Sequence, residues 1–174
     1  MLFRICMAGP SPKGDKIREN WQDWKIKYQK ELSRIDGVKL VYGDQWLDET
    51  RPFITFGHDA NMIKYCDLVV VYAEEKLGAG TAQEILIAKY FSKPVVVVLP
   101  KNSAHRKSDI VFNGNVIEDW IHPFIHSTAD CVVENINQAV EWIKEYQREP
   151  KLKPIKSIKI IDEAIEEFNK ENNK

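Results

Sequence analysis

Two stretches of the chain, Leu68-Val-Val-Val-Tyr72 and Val95-Val-Val-Val-Leu99, are apolar at every position. A strand with one wet face alternates apolar and polar residues. A strand without polar alternates is covered on both faces, the usual condition of a central parallel strand. Between the two runs a helical pattern extends from about Thr81 to Phe91, and Lys93-Pro94 introduces the second run. Strand, helix, strand in that order is the crossover unit of an α/β fold, which limits the chain to few topologies.

The remaining elements extend the same alternation. Leu2 to Met7 reads as a first strand, and Ala8-Gly-Pro-Ser-Pro-Lys-Gly14 as a loop. Ile17, Trp21, Trp24, Tyr28, Leu32 and Ile35 recur at helical steps and predict one amphipathic helix, with both tryptophans in the core and Gly37 as its stop. Val38 to Tyr42 is a second strand, 43–57 is irregular, and a helix covers about Asp59 to Tyr65. Residues 102–115 read as a polar loop, with Lys101, His105, Arg106 and Lys107 a solvated face or a lid. Cys131 to Val133 is the last strand, followed by a helix over Glu134 to Gln147. Five strands so placed predict a doubly wound, flavodoxin-like α/β fold: a five-stranded parallel sheet with helices on both faces and a ligand at its carboxyl edge. Residues 1–148 are the expected domain, 149–156 a linker and 157–174 a terminal helix. Ile158, Ile161, Ile165 and Phe168 stripe that helix, to pack on its own domain or on a neighbouring subunit.

A net charge of −1 offers no field for nucleic acid, and no apolar run approaches the roughly 18 residues that cross a bilayer. The opening eight residues, interrupted by Arg4, are too short for a signal peptide. Cys6, Cys66 and Cys131 form neither a disulfide framework nor a zinc pattern, so buried thiols and a cytoplasmic location are expected. There is no phosphate-binding Walker loop and no dinucleotide fingerprint; His122 and His126 have helical spacing but no third ligand. No metal or organic cofactor is expected.

The candidate chemistry lies at two acids. Glu84 follows Gly78-Ala-Gly-Thr81 and so sits near a helix start, where the dipole favours its ionised form and suits it to nucleophilic attack. The same letters also spell a capping box, Thr81-x-x-Glu84, in which Glu84 only reaches back to the helix end. Asp59 precedes the strand at Leu68, as a helix cap or as a proton donor whose pKa is raised against an apolar wall of Phe53, Phe56 and Tyr65. Asp67 opens that strand and is expected to fix local hydrogen bonds. Gly78 and Gly80 let backbone approach a ligand. Trp46 and Trp120, in segments read as irregular, are candidates to stack on a base. Two carboxyls facing one cleft suit reaction at a glycosidic carbon.

The segment Asp59 to Pro100 resembles the nucleoside 2-deoxyribosyltransferase family, its nucleotide N-glycosidase branch included. The shared pattern is Asp59, then Asp67 opening the apolar strand, then Gly78 and Gly80, then Glu84 on the helix; Ile5-Cys-Met-Ala8-Gly9 matches the family's opening strand and loop. The resemblance implies that Glu84 attacks the anomeric carbon to form a covalent glycosyl intermediate, and that Asp59 handles protons on the base or sugar. It implies a nucleoside or nucleotide substrate gripped by the loop after the first strand: Ala8, Gly9, and Ser11 and Lys13 for a 5′-phosphate. It implies a homodimer or higher homo-oligomer in which a neighbour completes the pocket, here through Asn113 and Asn115. Where transferases carry an Asp six residues before the nucleophile this chain has Gly78, and it lacks their first-strand Tyr. Both absences leave hydrolysis of a monophosphate, exchange of bases, and nucleotide sensing without catalysis as open alternatives.

Overall fold

The computed structural model describes residues 2–43 and 49–172. Five strands, β1 (Phe3–Ala8), β2 (Val38–Tyr42), β3 (Leu68–Tyr72), β4 (Val95–Val98) and β7 (Cys131–Val133), make one sheet in the order β2-β1-β3-β4-β7. All four pairings are parallel. The helices are α1 (Asp15–Arg18), α2 (Lys25–Leu32), α3 (Pro52–Tyr65), α4 (Ala79–Tyr90), α5 (Pro123–Thr128), α6 (Ile136–Arg148) and α7 (Ile160–Asn172). The expected five-stranded doubly wound sheet is thus present.

The all-apolar runs are explained by the two cores. Cys6, Val69, Val71, Val95 and Val97 point to the face covered by α3, α4 and α5. Their alternates Ile5, Leu68, Val70, Val96 and Val98 point to the face where Tyr28, Leu32, Ala139 and Ile143 of α2 and α6 lie. Each central valine therefore meets a core whichever way it points. The cysteines are free thiols, Cys6 and Cys66 buried. No helix among the described residues is long and apolar enough to cross a membrane.

Four sequence expectations require correction. The stripe from Ile17 to Ile35 is broken: the chain leaves α1 after Arg18 and re-enters a helix only after Asp23, whose carboxylate accepts the Lys25 N–H at 3.0 Å. Ile17 is exposed, whereas Trp24 packs half-buried on Tyr28 and Tyr72 at the edge of the core and also lines the loop after β1. The helix before β3 is twice the expected length, because Pro52 supplies a preset first residue. Residues 102–115 are no simple loop. Arg106–Phe112 (β5) and Asn115–Ile121 (β6) form an antiparallel hairpin. Asn113 and Gly114 both have positive φ (49° and 78°), the backbone of a tight two-residue hairpin turn. Nor is Arg106 part of a solvated lid. It is buried at the hairpin base, holding both Asp119 carboxylate oxygens at 2.7 and 2.6 Å and the Leu99 carbonyl at 3.1 Å.

Beyond α6 the chain is tied back at Lys153, which pairs with Glu145 at 2.7 Å, and most densely around Asp130. Buried Lys89, on α4, donates to buried Asp130; Asp130 also accepts the backbone N–H groups of Val95 (2.7 Å) and Lys156 (2.6 Å). From that anchor α7 projects with no buried residue. Of the apolar stripe, Ile158 is half-buried with its N–H on the Lys89 carbonyl at 3.0 Å, whereas Ile161, Ile165 and Phe168 on α7 are exposed.

Candidate active site

The chain order runs from β1 to β2 on one side and returns to β3 on the other, so the sheet's switch point lies between β1 and β3. A doubly wound sheet opens a crevice there because the flanking connections part in opposite directions. Here the crevice is a hollow of about 560 Å³, the size of a small-ligand site. Its walls are the loop after β1 (Gly9 to Lys13), the first turn of α4 (Gly78 to Thr81), and α3 (Thr55, Phe56 and Asp59). A narrower extension adds Arg18, Trp24, Lys25 and Tyr42.

Asp59 and Glu84 line both parts of this cleft. Asp59 lies in the middle of α3 and so is no helix cap; Glu84 lies in the second turn of α4. The capping box does not form. The helix starts two residues earlier than expected, with Gly78 as its cap, and Thr81 is a buried third-position residue. Glu84 is thereby freed from the helix end and committed to the cleft. Its environment also corrects the expectation of an ionised acid. Burial and the neighbouring Asp59 charge push its pKa up to about 8, against the pull of Lys13. At neutral pH Glu84 keeps its proton in this cleft.

The other sequence candidates divide. Gly9, Ser11, Lys13, Gly78 and Gly80 all line the cleft. A Cβ built on Gly78 or Gly80 meets nothing within 4 Å, and neither has a left-handed backbone, so the space they leave is open to a ligand. Gly9 is different: a Cβ there would lie 2.4 Å from the Trp24 ring. Trp24 covers Gly9, stacks on Tyr72 and donates its indole N–H to the Pro10 carbonyl at 2.8 Å, fixing the loop. Ala8 is buried at the end of β1, beneath the cleft. Asn113 and Asn115 are at the tip of the β5–β6 hairpin, exposed, and do not line this chain's own cleft. Of the expected apolar wall, Phe56 lines the hollow whereas Phe53 and Tyr65 are exposed elsewhere. Asp67 accepts the Arg4 N–H at 2.7 Å and braces β1 against β3. Trp120 packs near Phe112 and His122 on the hairpin; Trp46 lies outside the described residues.

Some cleft residues carried no sequence signal. Glu49 lies against Lys13, Oε1 to Nζ 2.7 Å, and Lys13 also donates to Ser11 Oγ at 3.2 Å. Arg18 and Lys25 bring further cations to the narrow end. These side chains come from loops and helix ends, whose approach to the cleft depends on tertiary packing.

No protein-family model matches the chain, and no curated protein sequence matches it either. Among solved structures, a 2-desoxiribosyltransferase from Leishmania mexicana overlays with a TM-score of 0.54 at 16% identity, covering 83% of this chain and 98% of that one. The chain has that enzyme's fold. A CMP N-glycosidase from Clostridium botulinum overlays with a TM-score of 0.45 at 13% identity, covering 80% and 97% of the two chains.

Proposed function

We propose that this protein cleaves or exchanges the N-glycosidic bond of a nucleoside or nucleotide. The observation that carries the reading is the carboxyl pair at the switch point: Asp59 and Glu84 line one cleft, where burial and then the Asp59 charge raise the Glu84 pKa. Paired carboxyls are what displacement at an anomeric carbon requires. The likeness of fold to a 2-desoxiribosyltransferase supports the same reading, as does the family resemblance of the Asp59 to Pro100 segment.

The chemistry follows from the proton that Glu84 holds at neutral pH. Glu84 gives its proton to Asp59 and attacks the sugar carbon. The bond from carbon to base nitrogen breaks, a glycosyl ester to Glu84 forms, and Asp59 passes the proton to the departing base. Water, or a second base, then attacks the same carbon, the ester breaks, and the incoming group's proton returns to the pair. Lys13 steadies the negative charge on Glu84 during attack. The substrate class that fits the narrow end is a 5′-monophosphate, because Ser11, Lys13, Arg18 and Lys25 gather there. Asn113 and Asn115 serve the cleft of a neighbouring copy.

The test is to incubate the protein with a mixture of nucleosides and monophosphates and to follow free base by chromatography, with a second base added to separate exchange from hydrolysis. Base is released by the wild type, and Glu84→Ala abolishes release. Undiminished release by Glu84→Ala, or none from any substrate with the wild type, overturns the proposal. The Glu84 proton also fixes a pH dependence. kcat/KM falls above about pH 8, where Glu84 loses its proton. A rate that climbs through pH 8 to a plateau rules out the one-proton scheme.

A further inference from the structure

Asp59 is held from two sides at one atom. His58 Nδ1 lies 3.0 Å from Asp59 Oδ1. On the other side is the backbone of Gly43, just beyond β2, where a Cβ would stand only 2.9 Å from the same oxygen. Both side chains of the pair are partly buried, 29% and 34% exposed, and of the two Asp59 lines the cleft. An ionised carboxylate only accepts, so the short contact requires a hydrogen on Nδ1; two lone pairs would repel at that separation. With Oδ1 taken by an imidazole N–H and set in the space that Gly43 leaves by having no side chain, Oδ2 is the oxygen left to serve the cleft.

We infer that His58 and Gly43 form a seat that fixes the rotamer of Asp59 and assigns its two oxygens different tasks, Oδ1 to anchorage and Oδ2 to proton transfer. This rests on the proposed role of Asp59 and extends it to two residues that the sequence pattern leaves unassigned. His58 is a positioning residue: it acts through Asp59. Gly43 is required for the space its missing side chain leaves, since any Cβ would push the carboxylate out of its place. A displacement of that order at a proton-transferring group costs on the order of 10–100-fold in turnover.

Two measurements test the seat, and they fail separately from the assignment of function. The first needs no turnover. Imidazole ¹⁵N spectra at pH 8.5 report which nitrogen of His58 carries hydrogen: the expected form is Nδ1–H in the wild type, relaxing towards the commoner Nε2–H form in Asp59→Leu. A bare Nδ1 in the wild type overturns the inference whatever the protein catalyses. The second measurement is kinetic, on whichever substrate releases base. His58→Leu lowers kcat about 10–100-fold with KM within about twofold. His58→Asn, whose amide N–H takes the place of Nδ1–H, returns kcat to within about threefold, and Gly43→Ala reproduces the loss with His58 intact. Full kcat in His58→Leu, or no rescue by asparagine, sinks the proposal.

Discussion

Glu84 has its pKa near 8 in the fold and near 4.5 in the unfolded chain, so its proton links stability to pH. Below pH 4.5 both states hold the proton and the residue is neutral to stability. Between 4.5 and 8 the folded state keeps a proton that the unfolded chain has lost, so each rise in pH favours unfolding. Above 8 the penalty is complete, at a few kcal/mol. Glu84→Gln removes it. That variant should melt several degrees above the wild type at pH 8.5 and within a degree or two of it at pH 4.5, by calorimetry at both pH values. Equal shifts at the two values would mean that the carboxyl is not desolvated. Burial is the larger cause of the raised Glu84 pKa; Asp59→Asn removes the charge that adds to it, so the Glu84 midpoint, read by ¹³C carboxyl shifts, should drop part of the way towards its ordinary value.

At the scale of elements, the loop after β1 depends on an aromatic lid over a glycine. Gly9→Ala must move the Trp24 ring, and with it the Pro10 carbonyl and the Lys13 approach; about 1–3 kcal/mol of stability should be lost in chemical denaturation, and substrate affinity with it. The sheet was legible because its central strands carry their own signature, β-branched residues without polar alternates. The acids were legible because their offset from those strands places them at the carboxyl edge. Elements decided by single polar groups were not. The Asp23 carboxylate takes the Lys25 N–H at the start of α2, where the stripe runs on unbroken, and α4 starts from Gly78 without using the Thr81 hydroxyl as its cap. Asn113-Gly114 suits a hairpin turn, yet residues 102–115 read as a loop, because β5 pairs polar and apolar residues without clean alternation and so hid the strands on either side. Glu49, Arg18 and Lys25 reach the cleft only through packing, which no local pattern encodes.

Across the whole molecule, one buried ion pair ties the helix that bears Glu84 to the last strand and the segment after α6. Lys89→Met leaves Asp130 charged and dry, and should cost about 3–5 kcal/mol, a fall of roughly 10 °C in Tm. The hairpin tip does not line its own cleft, which bears on the proposed assembly. If Asn115 serves a neighbour, a mixture of Glu84→Gln and Asn115→Ala chains, unfolded and refolded together, regains activity that neither has alone; strictly additive rates would exclude that role. The helix α7 carries a separate consequence. Thirteen residues with no buried side chain have little besides their own backbone ladder to keep them wound, and so short a ladder is marginal in water. Deuterium should therefore enter the amides of α7 within seconds while those of β3 and β4 stay protected for hours, and slow uptake in α7 would reveal that something in solution is gripping its Ile161–Phe168 side.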